Sequence, residues 1–249
     1  METKAKIVVV GLGEVGKPLF ELASQYHDTV GVDIEPVEFS GTVDVLHICY
    51  PFQIKDFVGE TARYIERYKP VVTVINSTVA IGTTRAVEER VQSPVVNSPV
   101  RGKHARMLQD MQKYVKFVGG TDPAAARRSA QHFESLGLKT KVLSTPEASE
   151  LAKLTETTYF GVMIAWAQEV ERYCDEWGAD YDEVASFYEE IGFFPPVKYF
   201  PGVIGGHCVM QNIAILSRLK PSMLLDAVKA SNEMKVERDL RAKKEAVLV

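Results

Sequence analysis

The chain has 249 residues, 46% of them hydrophobic and 25% charged, with a net charge of −4. These values are ordinary for a globular protein of one large or two modest domains, and they leave no basic footprint for nucleic acid and no low-complexity segment. Three widely spaced cysteines, Cys49, Cys174 and Cys208, fit a reducing cytoplasm better than a disulfide framework or a zinc site.

The opening METKAKIVVV turns straight into a strand pattern, without the apolar core and cleavage site of a secretory signal. Residues 6–10 (KIVVV) read as a strand buried on both faces. A helical pattern follows from about Glu14 to Gln25, then strands at 29–34 and 45–50 and a helix from about Gln53 to Tyr68. Residues 71–76, 93–97 and 115–120 read as further strands, and a helix at about 123–136 and a strand at 140–144 close this half. Such alternation predicts a parallel sheet covered by helices on both faces, a doubly wound α/β domain over residues 1–145.

The second half, 146–249, predicts an all-helical domain. From Pro146 to about Trp177 one helix of roughly thirty residues would run about 45 Å. Its centre, YFGVMIAWA (159–167), is too short to span a bilayer and apolar all round, which predicts burial on every side. A homodimer sharing this helix would supply the cover. Further helices are expected at Tyr181–Ile191, from Cys208 to about Leu219, and after Pro221, the last with a solvated charged tail.

Two polar clusters carry chemistry in the first half. VVVGLGEVGKPLF places Gly11, Gly13 and Gly16 as G-x-G-x-x-G between a strand and a helix, with Glu14 and Val15 in the same turn. Gly11 allows the tight turn, Gly13 lets a pyrophosphate approach, and Gly16 lets helix and strand pack closely. The helix N-terminus suits phosphates. Asp33, twenty positions after Gly13 at the end of the second strand, would accept hydrogen bonds from ribose hydroxyls and repel a 2′-phosphate, favouring NAD over NADP. In INSTVAIGTTR (75–85), Ser77 and Thr78 are expected to face the cofactor crevice. Thr83 or Thr84 would cap the following helix.

In the second half, PGVIGGHCV sets Gly205, Gly206 and His207 before Cys208. Cys208 is either a nucleophile, active as thiolate, or a small buried hydrophobe. Taken together, G-x-G-x-x-G with Asp33, STVAIGTT, EASELAKLTETTYFGVMIAWAQEVERYCDEWGAD and PGVIGGHCV resemble the UDP-glucose/GDP-mannose dehydrogenase family, and within it the branch that oxidises UDP-N-acetylmannosamine. The resemblance runs over nearly the whole chain. It implies a Rossmann domain, a central helical domain with a dimerising helix, and a two-step NAD-dependent oxidation of a primary alcohol through a cysteine thiohemiacetal and thioester. By that resemblance Cys208 is the nucleophile, Lys153 the cation that stabilises the hemiacetal oxyanion, and Thr78 a positioner of water or substrate.

The chain departs from the family pattern at three polar positions. Val100 stands where the family has a glutamate, Thr157 where it has an asparagine, and Asn212 where it has an aspartate. A neutral amide is no general base near neutral pH. Only residues 35–44 separate two strands where the family has a long segment, and Val249 falls near where the family's linker to a third, nucleotide-gripping domain begins. That grip is expected to be reduced or absent. In its place RGKHARM (101–107) offers Arg101, Lys103, His104 and Arg106 to an anionic substrate, with Thr157, Gly205, Gly206 and Asn212 as further substrate contacts. Three readings stay open: oxidation of a sugar nucleotide or related anionic polyol, a single-step β-hydroxyacid-type dehydrogenase, and a degenerate NAD-binding protein that pairs with a subunit bringing the missing grip.

Overall fold

The structure, a computed structural model, describes residues 4–34, 37, 41–102, 104–192, 200–205 and 207–247. They form two compact units, Met1–Lys153 and Leu154–Val249.

The first unit is a seven-stranded sheet in the order β2-β1-β3-β4-β5-β6-β7. Its strands are β1 (Lys6–Val10), β2 (Asp28–Val32), β3 (Val45–Ile48), β4 (Val72–Ile75), β5 (Val95–Asn97), β6 (Lys116–Gly120) and β7 (Thr140–Leu143). Alternation in β1 divides the core. Ile7 and Val9 face a cluster built with α1 (Gly16–Ala23), α4 (Met107–Lys113) and α5 (Pro123–Ser135). Val8 and Val10 face a second cluster built with α2 (Phe57–Tyr68) and α3 (Thr83–Val91). Both faces are therefore covered, as near-continuous apolar strands require.

The sheet departs from the expected all-parallel arrangement at one junction, where β5 and β6 pair antiparallel. The segment between them, which carries no clear helical pattern, folds as a 3-10 turn (His104–Arg106) and α4. It buries Met107 and Met111 and delivers the chain back at the carboxyl edge it left. A parallel neighbour would have needed a crossover to the opposite edge.

The long helix α6 spans Pro146–Trp177, within the predicted bounds. Its first turns dock on the sheet: Ser149 Oγ donates to Asn97 Oδ1 at 2.6 Å, and a Cβ on Gly119 would meet Thr145 O at 2.4 Å. Glu150, buried in that turn, also corrects the expectation for α3. Neither Thr83 nor Thr84 caps that helix; its N-cap is Gly82 in the left-handed region, without a side-chain cap bond. Instead the Glu150 carboxylate accepts from Gly82 N (2.7 Å), Thr84 N (2.9 Å) and Thr84 Oγ1 (2.6 Å). Burial raises its pKa and these donors pull it back. Glu150→Ala is expected to cost about 3 kcal/mol, because it strands buried N–H groups at a helix start; a urea unfolding midpoint would measure it.

The second unit holds the rest of α6 with α7 (Tyr181–Ser186), α8 (His207–Leu219) and α9 (Met223–Val247). α7 is shorter than predicted. The apolar centre of α6 is not buried on every side of the single chain: Tyr159 and Trp166 are 54% and 53% exposed, whereas Ala167 and Val170 are buried. Nor is the charged run of α9 simply solvated. Lys235 Nζ sits 2.9 Å from Glu171 Oε2 on α6, and Arg238 pairs with Asp175. Among the described residues no helix is long and apolar enough to cross a membrane, and no group of three or more His, Cys, Asp and Glu side chains suits a metal ion.

Candidate cofactor and active site

Strand order reverses beside β1: β2 lies on one side and β3 on the other. Loops that leave the carboxyl ends of β1 and β3 therefore diverge, and a crevice opens between them. A cleft of about 700 Å³ occupies that place, lined by Val10, Gly11, Asp33, Tyr50, Ile54 and Tyr64 among others.

Each glycine of the loop after β1 answers a different constraint. Gly11 has φ +88°, its N–H donates to Val32 O at 2.8 Å, and a Cβ there would lie 2.7 Å from Tyr50 N. A Cβ on Gly16 would lie 1.7 Å from Gly11 O. Those two glycines are required by the protein's own backbone. Gly13 has no such reason: among the described residues a Cβ there would meet nothing within 4 Å beyond its chain neighbours, and its φ is not in the left-handed region. The space beside Gly13 is open, at the start of α1. That helix has Val15 at its N-cap and no side-chain cap bond, whereas α2 and α5 are capped by Asp56 and Asp122. An uncapped helix start with open space before it suits a phosphate. Asp33, exposed just beyond β2, lines the same cleft. The residues present fit a dinucleotide.

The predicted residues after β4 and β5 lie at the same carboxyl edge of the sheet. Ser77 Oγ donates to Tyr50 O at 2.6 Å and is buried, so it ties the ends of β3 and β4 together. Thr78 beside it is half-buried. The guanidinium of Arg101 lies over two rings, 5.5 Å from the Tyr114 centroid and 5.6 Å from that of Phe117. Lys103 lies outside the described residues, and His104 opens the 3-10 turn. Val100 is buried in the core with its N–H on Asn76 O at 3.1 Å. Lys153 is half-buried on α6.

In the second unit Thr157 is half-buried on α6, Cys208 is exposed in the first turn of α8, and Asn212 is buried one turn on. Gly205 is exposed, and Gly206 lies outside the described residues. Ile54, Arg63 and Tyr64 of the cleft wall were not foreseen. The signal for Arg63 and Tyr64 was Asp56, an N-cap residue in the stretch after β3, which marks where α2 starts and which side chains that helix brings to the crevice.

Residues 147–234 match the UDP-glucose/GDP-mannose dehydrogenase family, central domain. UDP-N-acetyl-D-mannosamine dehydrogenase of Methanocaldococcus jannaschii is 25% identical over 279 residues, covering 92% of this chain and 65% of the relative. The solved UDP-D-ManNAc dehydrogenase of Pyrococcus horikoshii superposes with a TM-score of 0.83 at 19% identity, covering 97% of this chain and 71% of that one. The 3-hydroxyisobutyrate dehydrogenase of Mycobacterium tuberculosis superposes with a TM-score of 0.71 at 16% identity, over 94% of both chains. The chain thus spans about two thirds of the length of the curated relatives it matches, 65% of the first and 59% of the next two.

Proposed function

We propose that this chain, which belongs to the UDP-glucose/GDP-mannose dehydrogenase family through its central domain, binds NAD and takes part in oxidising a primary alcohol of a sugar nucleotide or related anionic polyol. The observation that carries the cofactor assignment is the open space at Gly13 beside an uncapped helix start. Gly11, Gly13, Glu14, Val15 and Gly16 would hold the pyrophosphate, Asp33 the adenosine ribose, and Ser77 with Thr78 the edge of the crevice. NAD, when bound, accepts hydride.

The residues of this chain would divide the remaining work as the family resemblance suggests. The alcohol loses a hydride and a proton to give an aldehyde. The Cys208 thiolate adds to the carbonyl carbon, and the carbonyl oxygen becomes the hemiacetal oxygen. Loss of a second hydride leaves a thioester, and water then cleaves the C–S bond to give carboxylate and thiol. The Lys153 ammonium would stabilise oxyanion character, Thr78 would orient water or substrate, and Arg101, His104, Thr157, Gly205, Gly206 and Asn212 would contact the substrate. A reducing cytoplasm is the compartment that chemistry calls for. The test is NADH formation by the purified protein with a panel of nucleotide sugars, read by absorbance. Two NADH per substrate are expected, and no NADH with any of them would remove the reading.

Buried Asn212 and apolar, buried Val100 favour a second reading, a single hydride step. Neither side chain offers a base where the family has a carboxylate. Cys208→Ser separates the two. Two-step oxidation predicts loss of carboxylate product by about 100-fold or more, as for other lost nucleophiles; a single hydride step predicts unchanged turnover.

We also propose a homodimer through α6, because Tyr159, Trp166 and Tyr173 leave an aromatic face exposed on the single chain. Light scattering is expected to give twice the chain mass at micromolar concentration; a monomer there would refute it.

A further inference from the structure

We infer that Asn232 and Gln168 are positioning residues for Cys208, an inference that rests on Cys208 being the thiol of the proposed oxidation. Gly205 and Gly206 stand shortly before Cys208 in the chain, and glycine has no side chain with which to hold a backbone in place. The orientation of the first turn of α8 therefore depends on what grips the chain on either side.

Upstream, one carboxamide serves both backbone groups of a single residue. Ile204 N donates to Asn232 Oδ1 at 2.7 Å, and Asn232 Nδ2 donates to Ile204 O at 3.4 Å. Asn232 thus pairs with Ile204 as a neighbouring strand would. Two residues earlier, Gly202 O accepts from Gln168 Nε2 at 2.7 Å. Gln168 is fully buried, and a relay fixes which way its amide points. Arg172 Nη2 donates to Ser231 Oγ (3.0 Å), and Ser231 Oγ donates to Gln168 Oε1 (2.9 Å). The amide nitrogen is left to face Gly202 O.

Downstream, the anchor is apolar. Val209 and Ile213 of α8 pack with Ile204, Leu225 and Val228. A Cβ on Gly161 of α6 would lie 2.7 Å from Val209 Cγ1, so α8 lies close against α6. Cys208 sits between these two grips. Apolar side chains at 168 and 232 would bury α6 and α9 equally well. The two amides, by contrast, fix the path of residues 202–204 to hydrogen-bond tolerance, and a displacement of about 1 Å at a reacting group is worth about 100-fold in rate.

The experiment compares full-length wild type with Asn232→Ala and Gln168→Leu in two readouts. One is the alkylation rate of Cys208 by iodoacetamide, followed by peptide mass; Cys49 and Cys174 are buried and do not compete. The other is turnover with the active nucleotide sugar. Release of the grip is expected to raise the alkylation rate about threefold or more, as an exposed thiol gains orientations. It is expected to lower kcat about tenfold or more while the KM for NAD stays unchanged, a split that general destabilisation would not produce. If Asn232→Ala does not fold, Ser231→Ala removes only the relay behind Gln168 and carries the same test. Folded variants with wild-type alkylation or wild-type kcat overturn the inference. If wild type itself makes no NADH, the oxidation reading fails and the alkylation rate alone decides the role of the two amides.

Discussion

Gly13→Ala is expected to weaken NAD binding by about 100-fold, about 2.7 kcal/mol, and to leave the unfolding midpoint where it was. The added methyl would occupy open space, with no atom of the described residues beyond its chain neighbours within 4 Å of it and no left-handed φ to strain. The whole penalty would fall on a ligand that needs the backbone at close range. Gly16→Ala should behave in the opposite way. Its methyl would lie 1.7 Å from Gly11 O and 3.0 Å from Cys49 Cβ, and only a shift of α1 away from β1 relieves that. A loss of about 3 kcal/mol or more in stability is expected, with cofactor affinity lost as a consequence. Calorimetric titration with NAD and urea unfolding of both variants make the comparison. Wild-type NAD affinity in Gly13→Ala would refute the cradle, because nothing else in the fold asks for glycine there.

That contrast also shows what the sequence could and could not disclose. The spacing of Gly11, Gly13, Gly16 and Asp33 marks the proposed cradle in the sequence because all four fall within one short run from β1 through α1 to the end of β2. The bounds of α6 are equally plain, since a helix of that length announces itself by the absence of breakers. Features that depend on distant partners were hidden. Glu150 reads as an ordinary helix glutamate until α6 docks and sets its carboxylate against Gly82 and Thr84, sixty-six to sixty-eight positions away. β6 has the composition of any buried strand, and only the short path from β5 through α4 makes it antiparallel. The exposed side of α6 could not be read either, because apolar residues on all sides of a helix do not tell which side its own chain covers. Asn232 and Gln168 are unremarkable helix amides until the segment at 202–204 lies between them.

Lys116→Met is expected to stabilise the protein near pH 6.5 and to destabilise it near pH 9. Lys116 opens β6 as a strand residue on the face that packs α5. Its amine is buried, donates to Ser98 O and to Asn76 Oδ1 (3.1 Å), and lies 4.8 Å from the Phe133 centroid. The titratable groups that act on it are Cys49, just past the end of β3, and Lys153 from α6. A neutral amine has two N–H groups, which match the two acceptors. Burial, reinforced by the Lys153 charge and opposed by Cys49, lowers the lysine pKa from 10.5 to about 7. The unfolded chain therefore binds the proton that the folded chain releases between about pH 7 and 10.5, and stability rises with pH across that window. At and below pH 7 the buried amine costs about 5 kcal/mol at most, given about 1.4 kcal/mol per pKa unit. Methionine removes that cost but strands Ser98 O and Asn76 Oδ1, a loss of about 3 kcal/mol. The net gain near pH 6.5 is about 2 kcal/mol, and it reverses near pH 9, where most of the lysine's cost has already gone.

The neighbouring groups set the rest of the profile. Asn76 Nδ2 donates to His47 Nδ1 at 3.1 Å, so His47 carries its proton on Nε2 and donates to His132 Nε2 at 2.9 Å. Burial holds the His47 pKa well below 6.5 and that of His132 at about 3. The unfolded chain binds protons there that the folded chain refuses, so both groups make stability rise with pH until about 6.5. Cys49 acts in the other sense: burial raises its thiol from 9.0 to about 12, the folded chain keeps a proton the unfolded chain loses, and stability falls with pH above 9. Wild type should thus gain stability up to about pH 9, hold level to about 10.5 while Lys116 and Cys49 offset each other, and then lose it. Lys116→Met should be flat between 7 and 9 and fall thereafter. Urea unfolding at pH 6.5, 8 and 9 reads the crossing; parallel profiles for the two proteins would mean that Lys116 keeps its proton in the folded state.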